Sequence, residues 1–104
     1  MTSEVISFQL ILHAGNAKSF AMEAMSAAGE YNFEKASERI KQAEEEIAIA
    51  HKSQYDLLSD YSNGKDVPLD ILMVHAQDHI SGAQLVIEMA KEIIKLNQNI
   101  YLMK

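Results

Sequence analysis

From Phe33 onward, apolar residues return at steps of three and four: Phe33, Ala36, Ile40, Ala43, Ile47, Ala50, Leu57 and Tyr61, interrupted once by Gln54. That spacing gathers them on one face of an α-helix and matches no strand pattern. Lys35, Glu38, Arg39, Lys41, Glu44, Glu45 and Glu46 fill the other faces, so the segment reads as a helix solvated outside and packed inside. The run Glu44-Glu45-Glu46 belongs to the solvated side, because consecutive side chains diverge around a helix and cannot converge on one ion. A helix with one apolar face needs partners. The flanking segments supply two.

Residues 4 to about 28 mix Phe8, Ile11, Leu12, Met22 and Met25 with Ala14, Gly15, Ala17, Ala21, Ala24, Ala27 and Ala28. Apolar and small residues point almost all round, which predicts a helix buried on several sides and hints at an oligomer. Gly29-Glu30-Tyr31-Asn32 reads as a turn, with Gly29 closing one helix and Asn32 capping the next. Ser62-Asn63-Gly64-Lys65-Asp66 is the second break, and Pro68 suits the first turn of a third helix running from about Leu69 to near the C-terminus. Lys91, Glu92 and Lys95 fall towards the outer faces of that helix. With two short connections and no strand pattern, the expectation is all-α: an antiparallel up-down-up three-helix bundle forming a single domain over residues 1–104.

Composition removes several function classes. The chain has no cysteine, which excludes disulfides, thiolate chemistry and cysteine-based zinc sites. A formal charge of -6 without a Lys/Arg cluster argues against nucleic-acid binding and suits a protein partner with a basic face. Met1-Thr2-Ser3-Glu4 lacks the basic start of a secretory signal, and His13, Asn16 and Lys18 interrupt the apolar stretches. A cytoplasmic location is the expectation.

One stretch of the third helix departs from its surroundings. Leu72, Val86, Met89, Ile93, Leu96 and Ile100 outline an apolar stripe, in which His75, His79 and Gly82 stand where apolar residues would be expected. His75, Asp78 and His79 can share a helix face. Polar groups on a packing face are costly unless hydrogen-bonded or used. Three readings of His75-Ala76-Gln77-Asp78-His79 are compatible with this spacing. The histidines can be hydrogen-bonded structural residues in a non-catalytic interaction or regulatory protein. They can hold one metal ion, as histidines at i and i+4 do, although no HExxH motif supplies a base. Or His75 can be a nucleophilic imidazole, oriented by Gln77, Asp78 or His79. Of the remaining histidines, His13 lies on the small-residue face of the first helix and suits a structural hydrogen bond, and His51 suits a helix surface.

The chain as a whole resembles the lactose/cellobiose-specific enzyme IIA family of the bacterial sugar phosphotransferase system. Leu12-His13-Ala14-Gly15-Asn16-Ala17-Lys18-Ser19 and Ala21-Met22-Glu23-Ala24 are similar to the family's first helix. Phe33-Glu34-Lys35-Ala36 and Ala50-His51-Lys52 are similar to its second, and Leu72-Met73-Val74-His75-Ala76-Gln77-Asp78-His79 to its active-site segment. Departures fall elsewhere, at Glu30-Tyr31-Asn32, Gln54-Tyr55-Asp56 and Ile80-Ser81-Gly82.

The resemblance implies specific roles. The histidine at His75 would accept a phosphoryl group from phospho-HPr and pass it to a IIB component, which phosphorylates a disaccharide of the lactose, cellobiose or chitobiose class as the membrane IIC component carries it. Gln77 and His79 would support that histidine. The subunits would assemble as a homotrimer, with Asp78 and its two symmetry copies holding one divalent cation, magnesium, on the threefold axis.

Overall fold

In a computed structural model, described for residues 2–67 and 69–104, the chain forms three helices: α1 (Ser3–Gly29), α2 (Phe33–Ser62) and α3 (Ile71–Leu102). Each starts on a side-chain cap. The Thr2 hydroxyl accepts from the Val5 amide at 3.2 Å, the Asn32 carbonyl from the Lys35 amide at 3.2 Å, and the Asp70 carboxylate from the Met73 amide at 2.8 Å. These oxygens satisfy amides that have no partner within the helix. The third helix begins two residues later than the sequence suggested, with Asp70 as its cap, and the expected role of Pro68 lies outside the described residues.

The order is up-down-up. The hydroxyl of Ser7, near the start of α1, reaches the Met73 sulfur in the first turn of α3 at 3.8 Å. At the opposite end, Tyr31 and Phe33 pack against Tyr101 near the end of α3, with ring centroids 5.2 and 5.9 Å apart. The result is a rod measuring 58 × 21 × 19 Å. Its core alternates large and small residues: Ile40, Ala43, Ile47 and Ala50 on α2 face Leu10, Ala14, Ala17 and Ala21 on α1 and Ala76, Ile80, Ala83 and Ile87 on α3. The alanines let helix axes approach closely while the isoleucines fill the gaps between them.

The core line of α3 sits one position away from the predicted stripe. The buried residues are Met73, Ala76, Ile80, Ala83, Ile87 and Ala90, whereas Met89, Leu96 and Ile100 are exposed and Leu72, Val86 and Ile93 are half-buried. His75, His79 and Gly82 therefore do not interrupt the intramolecular core. The large side chains lie outside it because alanine, not leucine, permits the close approach to α1. The all-round apolar character of α1 has the same origin. One line of α1 faces inward, and a second line, Val5, Phe8, Leu12 and Met22, stands exposed at 42–57%.

At the first turn, α1 ends at Gly29, but the left-handed residue is Tyr31, with φ of 61°. The Asn32 amide reaches back to the Ala27 carbonyl at 2.9 Å and the Tyr31 amide to the Ala28 carbonyl at 3.0 Å, closing the helix end. Positive φ costs an L-residue about 1–2 kcal/mol, and the tilted rings of Phe33 and Tyr101 packed against Tyr31, with the Lys104 ammonium 4.7 Å from the Tyr31 ring, offset it. Tyr31→Ala is expected to lose those contacts and keep the strain, destabilising the fold by about 1–3 kcal/mol. Tyr31→Gly should be more stable than Tyr31→Ala by about 1 kcal/mol, because glycine adopts positive φ freely. Urea unfolding of the two variants checks that order.

Candidate functional site

Asp70 fixes the start of α3, and the next two turns place His75, Asp78 and His79 on its exposed side. The rings of His75 and His79 meet edge to face, with centroids 4.5 Å apart and planes at 89°, and their Nε2 atoms are 3.0 Å apart. With either Nε2 protonated, the pair makes one N–H···N hydrogen bond. Each ring keeps its Nδ1 free of any hydrogen bond among the described residues. The pair is accessible from outside the rod.

The other two histidines are occupied differently. His13 Nδ1 lies 2.6 Å from a Glu46 carboxylate oxygen, and both side chains are half-buried between α1 and α2. Asn16 donates weakly to the other oxygen at 3.5 Å. Glu46 thus leaves the solvated run to which its neighbours belong. It flanks the buried Ile47 and turns inward because His13 stands opposite, a pairing visible only once the two helices are in register. His51 is exposed and has both nitrogens engaged, by Gln54 at 3.2 Å and by Gln84 at 3.1 Å.

Gln77 is not brought to His75. It points round the helix towards α2, where its carbonyl oxygen accepts from Gln54 at 2.6 Å and its amide donates to the Met73 sulfur at 3.7 Å. Gln54, which merely interrupts the apolar face of α2 in the sequence, is the residue that ties α2 to the histidine segment. The signal was present in both chains of spacing: a polar residue on a packing face, twice, facing itself across the bundle. Beside this bridge Leu57, Leu58, Tyr61, Leu69 and Met73 line an apolar cavity of about 300 Å³.

Asp78 is exposed and has no ion pair or hydrogen bond among the described residues. It lies within a line of exposed apolar side chains, Val74, Leu85, Met89 and Leu96, each 54–60% accessible. Steps of three and four connect Val74, Asp78, Gly82, Leu85 and Met89, so this is a second helical seam, separate from the core. Within one chain no three His, Cys, Asp or Glu side chains gather among the described residues. No described helix is long and apolar enough to cross a membrane.

Residues 5–98 match the family model for the lactose/cellobiose-specific IIA subunit of the phosphotransferase system. The chain belongs to that family. It is 44% identical over 97 residues to the lichenan-specific phosphotransferase enzyme IIA component of Bacillus subtilis, covering 93% of this chain and 88% of the relative. The crystal structure of the cellobiose-specific enzyme IIA from Bacillus anthracis superposes with a TM-score of 0.94 at 40% identity, covering 98% of this chain and 94% of that one. The IIA(Chitobiose) chain solved in solution in complex with HPr, from Escherichia coli, gives a TM-score of 0.84 at 25% identity, covering 97% and 98%. A IIA component relays a phosphoryl group on a histidine in the phosphorylation of an incoming sugar. The four histidines here differ enough in setting for the geometry to choose among them.

Proposed function

We propose that His75 is the histidine that takes the phosphoryl group from phospho-HPr and passes it to a cognate IIB component in the cytoplasm, for uptake of a disaccharide of the lactose, cellobiose or chitobiose class. The observation that carries this reading is the exposed His75–His79 pair: His13 is held by a carboxylate and His51 is bonded by glutamines at both nitrogens, whereas His75 has His79 as its one side-chain partner among the described residues. Both lie in the segment that resembles the family's active site, and it is the position of His75 that the resemblance makes the phosphorylated one. A IIA chain seen bound to HPr supplies the donor.

The chemistry asks little beyond alignment. The Nε2 lone pair of His75 forms the new N–P bond as the N–P bond to the donor's histidine breaks; His75 releases its Nδ1 proton to solvent and the departing imidazole takes one up, so both rings end neutral. Phosphoryl transfer of this kind depends on positioning and charge stabilisation more than on covalent machinery. His79 Nε2 lies 3.0 Å from His75 Nε2, so it gives up that contact when phosphorus approaches and, protonated, can donate to a phosphoryl oxygen of the transferred group. Delivery to IIB is the same step in reverse. Gln77 supports the segment through Gln54 rather than by touching the imidazole.

The exposed seams of α1 and α3 support a homotrimer, since apolar lines of this length are rarely left in water. On α3 the seam would bring three copies of Asp78 together. Clustered carboxylates repel, and carboxylate oxygens are ligands suited to magnesium. The fit is good: Asp78 has no other partner among the described residues and lies on a line with Val74 and Leu85. Bound there, the divalent cation would offset two of the three charges.

Wild-type chain incubated with phosphoenolpyruvate, enzyme I and HPr should gain the mass of one phosphate and lose it when IIB is added; no gain overturns the assignment. His79→Ala should slow transfer from phospho-HPr by about 10- to 100-fold. His79→Gln, which restores an N–H donor, should recover part of that loss. Equal rates for the two variants would mean that His79 contributes no hydrogen bond to the transfer.

A further inference from the structure

His75 and His79 are one helical turn apart, and their Nε2 atoms lie 3.0 Å from each other. An ion about 2.0–2.1 Å from each nitrogen would see them at an angle of roughly 95°. That is close to the right angle of square-planar and octahedral complexes and narrower than the tetrahedral angle. Imidazole nitrogen is a ligand for nickel, copper and zinc, whereas magnesium takes oxygen. From this juxtaposition we infer that the His75–His79 pair is a bidentate site for a borderline transition-metal cation, Ni(II) or Cu(II) before Zn(II), and that occupancy by the cation and phosphorylation of His75 exclude each other. The second half rests on His75 being the phosphoryl acceptor.

To hold an ion, the rings give up their mutual hydrogen bond and turn about their side-chain torsions until both Nε2 lone pairs face it, which exposed side chains can do. Both rings are exposed, both Nδ1 atoms are free to carry the proton that each neutral ligand requires, and the shared Nε2 proton moves to Nδ1 with no net change of charge. The helix holds the two nitrogens in place, so the second bond closes as an intramolecular event. No third His, Cys, Asp or Glu joins them among the described residues, which leaves the other coordination positions to water. Two ligands make a reversible site, not a structural one. Asp78 is the neighbour of His79 in sequence but belongs to the apolar seam, and its oxygen chemistry favours a different cation.

The exclusion follows from one lone pair. The metal occupies the His75 Nε2 electrons that would otherwise attack phosphorus, and a phosphoryl group on the same atom removes one of the two ligands. Coupling of this kind is reciprocal: the ion weakens phosphorylation, and phosphorylation expels the ion. His79 serves both states, as hydrogen-bond donor to one and as ligand to the other.

The test uses the full chain, stripped with EDTA and kept in excess magnesium so that any carboxylate site is already filled. Calorimetric titration with Ni(II) should find one ion per chain. His75→Ala and His79→Ala should each weaken it by about tenfold or more, while His51→Ala leaves it unchanged, and circular dichroism should show all three variants folded. Wild-type affinity in His79→Ala, or its loss in His51→Ala, overturns the site. In the second arm, Ni(II) should slow transfer from preformed phospho-HPr to the wild-type chain and EDTA should restore it, whereas transfer to His79→Gln should be insensitive to the ion. Transfer to the wild-type chain that saturating Ni(II) leaves unchanged overturns the exclusion. A chain that binds Ni(II) through both histidines yet never accepts phosphate overturns the phosphorylation reading and leaves the metal site standing.

Discussion

His75→Ala is expected to abolish phosphorylation by phospho-HPr, lowering the transfer rate by at least about 10³-fold, while leaving the fold and the assembly intact. The size of the effect follows from covalent catalysis: without the nucleophile there is no acceptor atom, so alignment and electrostatics have nothing to act on. Neither His13 nor His51 is placed to substitute. His13 is tied to Glu46 at 2.6 Å, and His51 lies elsewhere on the rod with both nitrogens bonded. His79 keeps its ring next to the gap, but it lies one turn further from the start of α3. Stability should change by less than about 0.5 kcal/mol, since the side chain is exposed and belongs to no core cluster. Mass spectrometry after incubation with phospho-HPr is the measurement. Full incorporation into His75→Ala, with the label on His79, would reverse the roles of the two rings.

Much of this arrangement was legible in the residues, and the parts that were not share a physical reason. The face of α2 was plain because Ile and Ala alternate against a highly charged background. The caps at Thr2 and Asp70 are ordinary helix-start residues, yet Asp70 gave way to Pro68 as the apparent start because proline is the louder signal. On α3 the apolar pattern offered two adjacent stripes, and the larger side chains drew the eye to the wrong one. Burial went to Ala76, Ala83 and Ala90, whose small size is what α1 needs for close contact. Periodicity reports which residues share a face; it does not report which face meets which partner. That also explains the missed pairs Gln54–Gln77 and His13–Glu46, both made across helices and 23 and 33 residues apart in sequence. The histidine segment was found for a partly mistaken reason: its polar residues lie outside the core, on a face left for other molecules.

That outer face carries the second large expectation. Leu85→Lys should dissociate the proposed trimer. Each chain would lose a leucine worth about 1.5–3 kcal/mol when buried, so three copies forfeit about 5–9 kcal/mol per trimer before any repulsion between the new charges. An association constant would then fall by roughly 10⁴-fold or more, enough to leave monomer at micromolar concentration in sedimentation velocity. Leu85 is 60% exposed in the single chain, so the monomer itself should stay folded. Asp78→Leu is the opposite case on the same line of α3. Replacing three mutually repelling carboxylates with apolar groups removes the need for a cation, so this variant should stay trimeric in EDTA and retain no magnesium. The wild-type chain, by contrast, should loosen when the cation is withdrawn. If Leu85→Lys sediments like the wild type, the seam does not lie between subunits. Magnesium retained by a trimer of Asp78→Leu would place the ion on other residues. The pair of variants separates the two forces: Leu85 tests the apolar drive for assembly, and Asp78 tests the charge that the assembly must neutralise to keep its histidines in place.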